Sequence, residues 1–401
     1  MMLCFLVTVW VLSLSPWLAL GSPVLIDIEP YAPTSLAEFA LQKVLQDASP
    51  IFGYYVENYS PTAEWMKEYP DSTPLVDMNL PGVHDTQTWN YSLATQEALA
   101  GVAAIGGNVI YPPQIYRCQN QSIITMLNAG IRVFDLRVAY DPTNSTLVFW
   151  HSSALQSETA TMEDVLIGYY KWLDDHPSET IMLSFNYEGS TTKYARNNAA
   201  VQLAMFNALM NPAAKKYFLQ TQNEFGTLGA SRGRIILLRR FSLDALPTSY
   251  SDAMPGKYFP ASQWHDDDPD IALVYNSSRN LTAYIEDFYE PDQAPTGSGA
   301  AYNIALKFNA TIAHLSKATE PQYNDSLFWT FASAEHNADT PSEYPEIMAL
   351  GDGEQTPLGG VNQQLVPFLK EMKGKRVGIV MFDFFDTPGD LVDTLLSLRS
   401  P

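Results

Sequence analysis

The chain has 401 residues, 46% of them hydrophobic, with a formal net charge of −21 and an isoelectric point near 4.5. That length admits two average domains or one large barrel. So acidic a surface repels nucleic acid and has no long-range attraction to anionic bilayers, so an anionic substrate would need a local cluster of arginines set against the global field.

Residues 1–21 hold no charged side chain and end in Ala-Leu-Gly before Ser22, which predicts a cleaved secretory signal, with a retained anchor as the alternative. No later stretch is long and apolar enough to span a bilayer. Cleavage would remove Cys4 and leave Cys118 alone, so no intramolecular disulfide is expected, and Cys118 reads as a buried small hydrophobe. Asn-X-Ser/Thr sequons at Asn58, Asn90, Asn120, Asn144, Asn276, Asn280, Asn309 and Asn324 agree with a secreted, N-glycosylated protein.

Residues 22–73 read as an N-terminal lead with one amphipathic helix, 36–47, packing on the main domain. From residue 74 to 401, strand patterns at 75–80, 132–140, 147–150, 181–187, 234–241, 283–288, 327–332 and 377–382 alternate with helical patterns. The helices are expected at 122–128, 162–174, 194–210, 301–316, 360–372 and 389–398. Eight strands alternating with helices predict an α/β fold of the TIM-type (β/α) barrel, a single domain with an N-terminal extension. An open doubly wound sheet is the alternative, weakened because no glycine-rich phosphate loop follows the first strand. Residues 244–280 are rich in Pro, Asp and Ser and read as irregular surface loops. Within them His265 and the three aspartates after it suggest a solvated acidic loop before a metal site.

Residues 80–85 read Leu-Pro-Gly-Val-His-Asp and place an imidazole, His84, beside Asp85 just after the first strand. On the second strand, alternation puts Asp135 and Arg137 on one face, as either a structural ion pair or an anion site. The third strand terminates in His151. Asp383 ends the last strand, which neighbours the first if the barrel closes, so it can reach and orient His84. Asp386 and Asp390 read as a helix-start pair. A base, an acid and a positive charge suit phosphodiester cleavage, and His84, His151 and Arg137 would fill these roles without a metal or other cofactor.

These pieces resemble a known family. Residues 80–85, Gly-Ile-Arg-Val-Phe-Asp-Leu-Arg at 130–137 and the His151 strand carry the likeness. So do Pro-Ser-Glu-Thr-Ile-Met at 177–182 and Arg-Gly-Arg-Ile-Ile-Leu-Leu-Arg-Arg at 232–240. Ile-Glu-Asp-Phe-Tyr at 285–289 and Gly-Ile-Val-Met-Phe-Asp at 378–383 complete it. Their order and spacing resemble the phosphatidylinositol-specific phospholipase C X-domain superfamily, in its bacterial-type, metal-independent branch. Asp85 stands where the calcium-dependent enzymes carry asparagine, and Arg137 stands in place of a calcium ligand.

The resemblance implies a distorted barrel and a monomeric enzyme acting on phosphatidylinositol or a related phospholipid at a membrane surface. His84 would take the proton of the inositol 2-hydroxyl, with Asp383 behind it. His151 would protonate the diacylglycerol oxygen, partnered by Asp85. Arg137 would bind phosphate, held by Asp135, and the first product would be an inositol 1,2-cyclic phosphate. One arginine of Arg239 and Arg240, together with Asp287 and the ring of Tyr289, would hold the inositol. After Ser184 and Phe185 the family places lysine. This chain has Asn186, Tyr187 and Glu188, so one head-group contact, at Asn186 or Glu188, is altered. That departure leaves open another head group or a soluble phosphodiester. A secreted inositol-binding protein without turnover is the third reading. Tyr250, Tyr258 and Trp264 would touch a membrane if exposed, or pack on the protein surface.

Overall fold

The computed structural model describes residues 35–103, 111–188, 197–291, 297–337 and 341–398. The expected signal, Cys4 and the start of the helix expected at 194–210 lie outside them. The strands are β1 (Leu80–Val83), β2 (Val133–Tyr140), β3 (Leu147–His151), β4 (Ala154–Leu155), β5 (Thr180–Tyr187) and β6 (Arg234–Arg239). They continue as β7 (Lys257–Tyr258), β8 (Ile271–Asn276), β9 (Leu281–Glu286), β10 (Leu327–Phe331) and β11 (Ile379–Phe382). The sheet runs β7-β6-β5-β2-β1-β11-β10-β9-β8. Neighbours from β7 to β9 are parallel, and β8 lies antiparallel on β9. This is the expected barrel, nearly closed. Among the described residues no ladder joins β7 to β8. Aromatic rings fill the seam: Phe259 stands 6.2 Å from Tyr275 and 5.6 Å from Trp329, and Trp264 stands 5.4 Å from Trp329.

Alternation sorts the strands into two faces. Leu80, Val133, Met182, Ile236, Leu238, Ile285, Trp329, Ile379 and Met381 form the barrel interior. Phe134, Leu136, Leu183, Ile235, Leu237, Val380 and Phe382 pack outward, in the core shared with the helices. Outside these lies the N-terminal helix, Leu36–Phe52, begun by a reciprocal cap between Ser35 and Glu38. It runs past the expected end at 47, and Phe52 meets Tyr169 edge-on at 5.4 Å.

Three expectations need correction. The first strand is not 75–80 but Leu80–Val83, with Pro81 and Gly82 inside it; Leu75–Asp77 is a 3₁₀ turn. Proline is tolerated because Pro81, in register with Val380 of β11, turns its backbone polar groups toward β2, where its carbonyl accepts the Arg132 N–H at 2.9 Å and the ladder that would need its missing N–H begins only at Gly82. Gly82 is required by packing, since a Cβ there would lie 2.4 Å from Met381 Sδ and 2.9 Å from Val133 Cβ. Second, β3 is not a barrel strand: it folds back antiparallel on β2. Third, residues 244–280 contain a helix, Thr248–Ala253, and the strands β7 and β8. The pattern in β8 alternates buried with exposed, the mark of a strand covered on one face only.

Lys257 on β7 is wholly buried, lies over the Phe225 ring at 5.3 Å, and has no hydrogen-bond partner for Nζ among the described residues. Burial pulls its pKa down to about 8. The unfolded chain then holds a proton that the folded chain lacks between pH 8 and the free value near ~10.4, so stability rises with pH across that window. Below it the buried charge is a standing cost. Lys257→Met is expected to raise the urea midpoint at pH 7 and flatten that rise. An unchanged or lower midpoint would contradict this.

Candidate active site

The interior phase of several barrel strands, at or just past their C-terminal ends, delivers polar side chains to the barrel mouth. His84 follows β1, Asp135 and Arg137 rise from β2, and Ser184 and Asn186 lie on β5. Arg240 follows β6, Asp287 follows β9, and Asp383 follows β11. His84, Arg137, Asn186, Arg240, Asp287 and Asp383 line an open cleft of about 1080 Å³, with Asp135 and Ser184 buried behind it. Asp85 turns inward because its backbone is left-handed, with φ 42° and ψ 52°, a conformation that aspartate tolerates better than most residues.

Asp85 is the centre. It is fully buried, and its Oδ2 lies 3.3 Å from His84 Nε2 and 3.2 Å from His151 Nε2. Its Oδ1 lies 2.6 Å from Arg137 Nε, a charge contact without hydrogen-bond alignment, and accepts from Gln87 Nε2 at 3.2 Å. Arg137 and both histidines hold the Asp85 carboxyl well below the usual range, against the opposing effect of burial.

His84 Nδ1 donates to Asp383 Oδ1 at 3.0 Å, so the last strand does reach the first. Arg137 Nη2 stands 2.8 Å from His84 Nε2, and a guanidinium can only donate. A neutral imidazole carrying its hydrogen on Nδ1 accepts that bond; a protonated one turns to Asp85. Burial lowers the His84 pKa, but Asp85 and Asp383 outweigh it and push it up to about 9. Asp383 itself is raised, chiefly by burial.

His151 arrives by the hairpin. β3 returns from above the barrel and sets the ring over the mouth, where Nδ1 donates to the Tyr116 carbonyl at 3.0 Å. Both ring nitrogens then face acceptors, the setting of an imidazole poised to donate a proton. Asp135, fully buried, meets Arg137 Nε at 3.6 Å and Arg240 Nη1 at 3.4 Å, and accepts from Ser184 Oγ at 3.3 Å. His84, Asp85 and Cys118 bring potential metal-ligand atoms within 4.8 Å of one another. The Arg137 guanidinium already stands against the His84 and Asp85 atoms of that set, as the cation of the site.

Arg240 faces the cleft and Arg239 does not. Arg240 lies over Trp264 at 4.1 Å, and its Nη2 is 3.9 Å from Asp287 Oδ2. Arg239 has the outward phase: it lies over Tyr258 at 4.7 Å and bonds Ser251 and Met254, with its pKa lowered to about 10 by burial. It is therefore removed from the candidate binding residues. Glu188 stands behind Arg137, 3.9 Å from Nη1, and accepts the Ser152 N–H at 2.7 Å; it buttresses the arginine and is not part of the cleft wall. Asn186 lines the cleft, level with Arg137.

Sequence reasoning missed several members. Trp264 is packed, not free for a membrane: its Nε1 donates to Asp287 Oδ2 at 2.5 Å. Tyr258 carries Arg239, and Tyr250 meets Phe206 edge-on at 4.7 Å. The loop at 265–268 is not a free solvated one. Asp266 lines the cleft and accepts the Tyr289 hydroxyl at 3.1 Å, while Asp267 takes the Glu290 N–H at 2.8 Å. Cys118 is buried as expected, but against the site, with Sγ 3.9 Å from Asp85 Oδ2. Gln119 donates to the carbonyls of His84 and Phe382, both at 2.8 Å, and so ties β1 to β11 at the mouth. None of these carries a local signal, because each acts through a contact distant in sequence.

Residues 113–241 match the family model for phosphatidylinositol-specific phospholipase C, X domain. The match takes in Arg137, His151 and Arg240; His84 and Asp383 lie outside it and complete the site from the two ends of the chain. The 1-phosphatidylinositol phosphodiesterase of Listeria monocytogenes is 23% identical over 339 residues, covering 82% of this chain and 83% of that protein. A mouse PI-PLC X domain-containing protein 1 is 29% identical over 167 residues, which are 38% of this chain and about half, 48%, of the relative's length. Among solved structures, a double mutant of the phosphatidylinositol-specific phospholipase C from S. aureus aligns with TM-score 0.66 at 18% identity, covering 84% of this chain and 97% of its own. The Listeria monocytogenes enzyme aligns with TM-score 0.57 at 21% identity, covering 84% and 98%. These structural likenesses establish the barrel fold.

Proposed function

We propose that the protein is a phosphodiesterase that cleaves the glycerol–phosphate bond of phosphatidylinositol by general acid–base catalysis. One observation carries the reading: two imidazoles flank a single carboxylate oxygen of Asp85, with Arg137 against that carboxylate and His84. The phosphate of the substrate draws Arg137 onto its oxygens and frees His84 Nε2. That nitrogen takes the proton of the inositol 2-hydroxyl, whose oxygen attacks phosphorus. The bond from phosphorus to the glycerol oxygen breaks, and His151 Nε2 gives its proton to the departing alkoxide. The products are diacylglycerol and inositol 1,2-cyclic phosphate. Asp383 fixes the tautomer of His84, Asp85 orients His151, and Arg137 supplies charge as it develops on the phosphoryl oxygens.

Phosphorus NMR of phosphatidylinositol vesicles tests the reading. The cyclic-phosphate signal should grow at the same rate with and without EDTA; no signal would refute the activity, and loss of signal on chelation would refute the role given to Arg137. Asn186, a neutral amide where the family carries lysine, favours a second reading in which the same chemistry acts on another head group. A panel of phosphodiesters in the same experiment separates the two.

The pH dependence follows from His84. The base must be unprotonated, so kcat/KM rises with pH through an acid limb set by its pKa of about 9 in the free protein. Asp383→Asn removes one of the two carboxylates that hold that value up. Its limb should therefore move to lower pH while the plateau falls, because the tautomer is no longer fixed. A limb that stays in place would show that another group controls it.

Secretion is proposed from the predicted signal and from the sequons. Asn90, Asn144, Asn280, Asn309 and Asn324 are exposed, whereas Asn276 is partly buried and already donates to the Asn223 carbonyl at 2.9 Å. Among the described residues no helix is long and apolar enough to cross a membrane. Enzymatic deglycosylation of secreted protein should increase its gel mobility; an unchanged mobility would argue against glycosylation.

A further inference from the structure

The cleft wall that faces away from the histidines is built from Asp287 and Tyr289, just past the end of β9. What holds them is a pair of buried charges behind the wall. Glu286 has the outward phase and points to the helix Ala300–Ala318, where Lys307 meets it at 2.6 Å; both are fully buried. The two ions clamp one residue between them. Glu286 Oε1 accepts the Phe288 N–H at 3.1 Å, and Lys307 Nζ donates to the Phe288 carbonyl at 2.7 Å.

Phe288 lies between the two residues that line the cleft, so fixing its N–H and C=O orients Asp287 and Tyr289 together. From the front, Asp287 accepts from Trp264 at 2.5 Å and Tyr289 donates to Asp266 at 3.1 Å. The backbone is tied on both sides, Asp287 N to the Asp268 carbonyl at 3.0 Å and Glu335 N to the Tyr289 carbonyl at 2.8 Å. A buried ion pair adds little net stability compared with an apolar pair of the same size. Its use here is geometric: it satisfies two backbone groups at a fixed spacing and sets the angle of the wall. Among the described residues Glu286 Oε2 has no hydrogen-bond partner, and the carboxylate is held from the clamp side through Oε1.

We propose that Glu286 and Lys307 are positioning residues for the head-group wall, acting through Phe288 to aim Asp287 and Tyr289 at a polyhydroxylated ring. The inference rests on the function proposed above. It predicts that disturbing the pair weakens recognition of the ring and leaves proton transfer at the far wall intact.

The test measures myo-inositol binding by calorimetry and phosphatidylinositol turnover in the wild type, Lys307→Met, Lys307→Arg and Glu286→Gln. All are assayed at a temperature where circular dichroism shows them folded. Lys307→Met and Glu286→Gln should bind myo-inositol on the order of tenfold or more weakly and raise KM, because misplacement by an ångström is enough for such losses. The acid limb of kcat against pH should stay in place. Lys307→Arg, which keeps the charge and the donors, should recover part of the affinity. Wild-type affinity and KM in a folded variant of lower thermal midpoint would show a purely structural pair and overturn the proposal. If Lys307→Met does not fold, the nearly isosteric Glu286→Gln decides alone. A wild-type protein that neither binds myo-inositol nor turns over phosphatidylinositol would instead refute the functional reading beneath it.

Discussion

His84→Ala and His151→Ala are each expected to lower kcat/KM for phosphatidylinositol by roughly 10²–10⁴-fold, the usual contribution of one proton-transfer group. The double mutant should lose much less than the product of the two, because both rings act on one displacement and share one carboxylate. The losses should differ in kind. Without His84 the neighbouring carboxylates are poor substitutes as the base: Asp383 lies behind the ring, and Arg137 keeps Asp85 a weakly basic carboxylate. Without His151 the leaving alkoxide lacks its acid, so a substrate with a far more acidic leaving group should recover activity in His151→Ala and not in His84→Ala. Neither ring is part of the apolar core, their side chains being 15% and 16% exposed, so the thermal midpoint should change little. Wild-type rates in either variant would end the mechanism, and equal recovery by both would end the assignment of acid and base.

Arg132→Met should destabilise the fold by about 3–5 kcal/mol, the usual effect of removing one partner of a buried ion pair. Arg132 and Arg137 begin and end the same stretch of chain and do opposite work. Arg132 sits at the closed end of the barrel, wholly buried between Trp65 and Trp172, at 5.6 and 4.9 Å from their rings. Every donor direction is used: Glu179 Oε2 at 2.6 and 3.1 Å, and the carbonyls of Leu127, Ile131 and Ala63 at 2.8–2.9 Å. Met would fill the volume but leave the Glu179 carboxylate, also fully buried, without its cation. Arg132→Met with Glu179→Met should recover much of the loss. Arg137, at the open end, is 20% exposed. Arg137→Met should therefore leave the urea midpoint much closer to wild type while abolishing turnover. Equal destabilisation by the two would show that both arginines are structural.

What the sequence determined by itself is local. Alternation along β2 places Asp135 and Arg137 on one face without reference to any other strand. The alternation of strand and helix patterns favours a barrel over an open sheet, and an imidazole or carboxylate at a strand end is visible in a window of six residues. Two features were legible only by assuming closure, and one of them, Asp383 against His84, is met at 3.0 Å. The other was wrong in route: β3 was read as a barrel strand, yet His151 reaches the mouth because a hairpin folds back.

Only the tertiary structure could decide which of Arg239 and Arg240 faces the cleft. Both lie in the same run, and the inward phase depends on which of Leu237 and Leu238 packs in the barrel interior, a matter of register with β5. The same holds for the wall of Asp266, Trp264 and Asp287, for Cys118 beneath Asp85, and for the clamp of Glu286 and Lys307. Which residues of a strand share a face is set by alternation along the chain. What a side chain meets at the end of that strand is set by residues up to about 300 positions away, as with His84 and Asp383, and no local pattern encodes that distance.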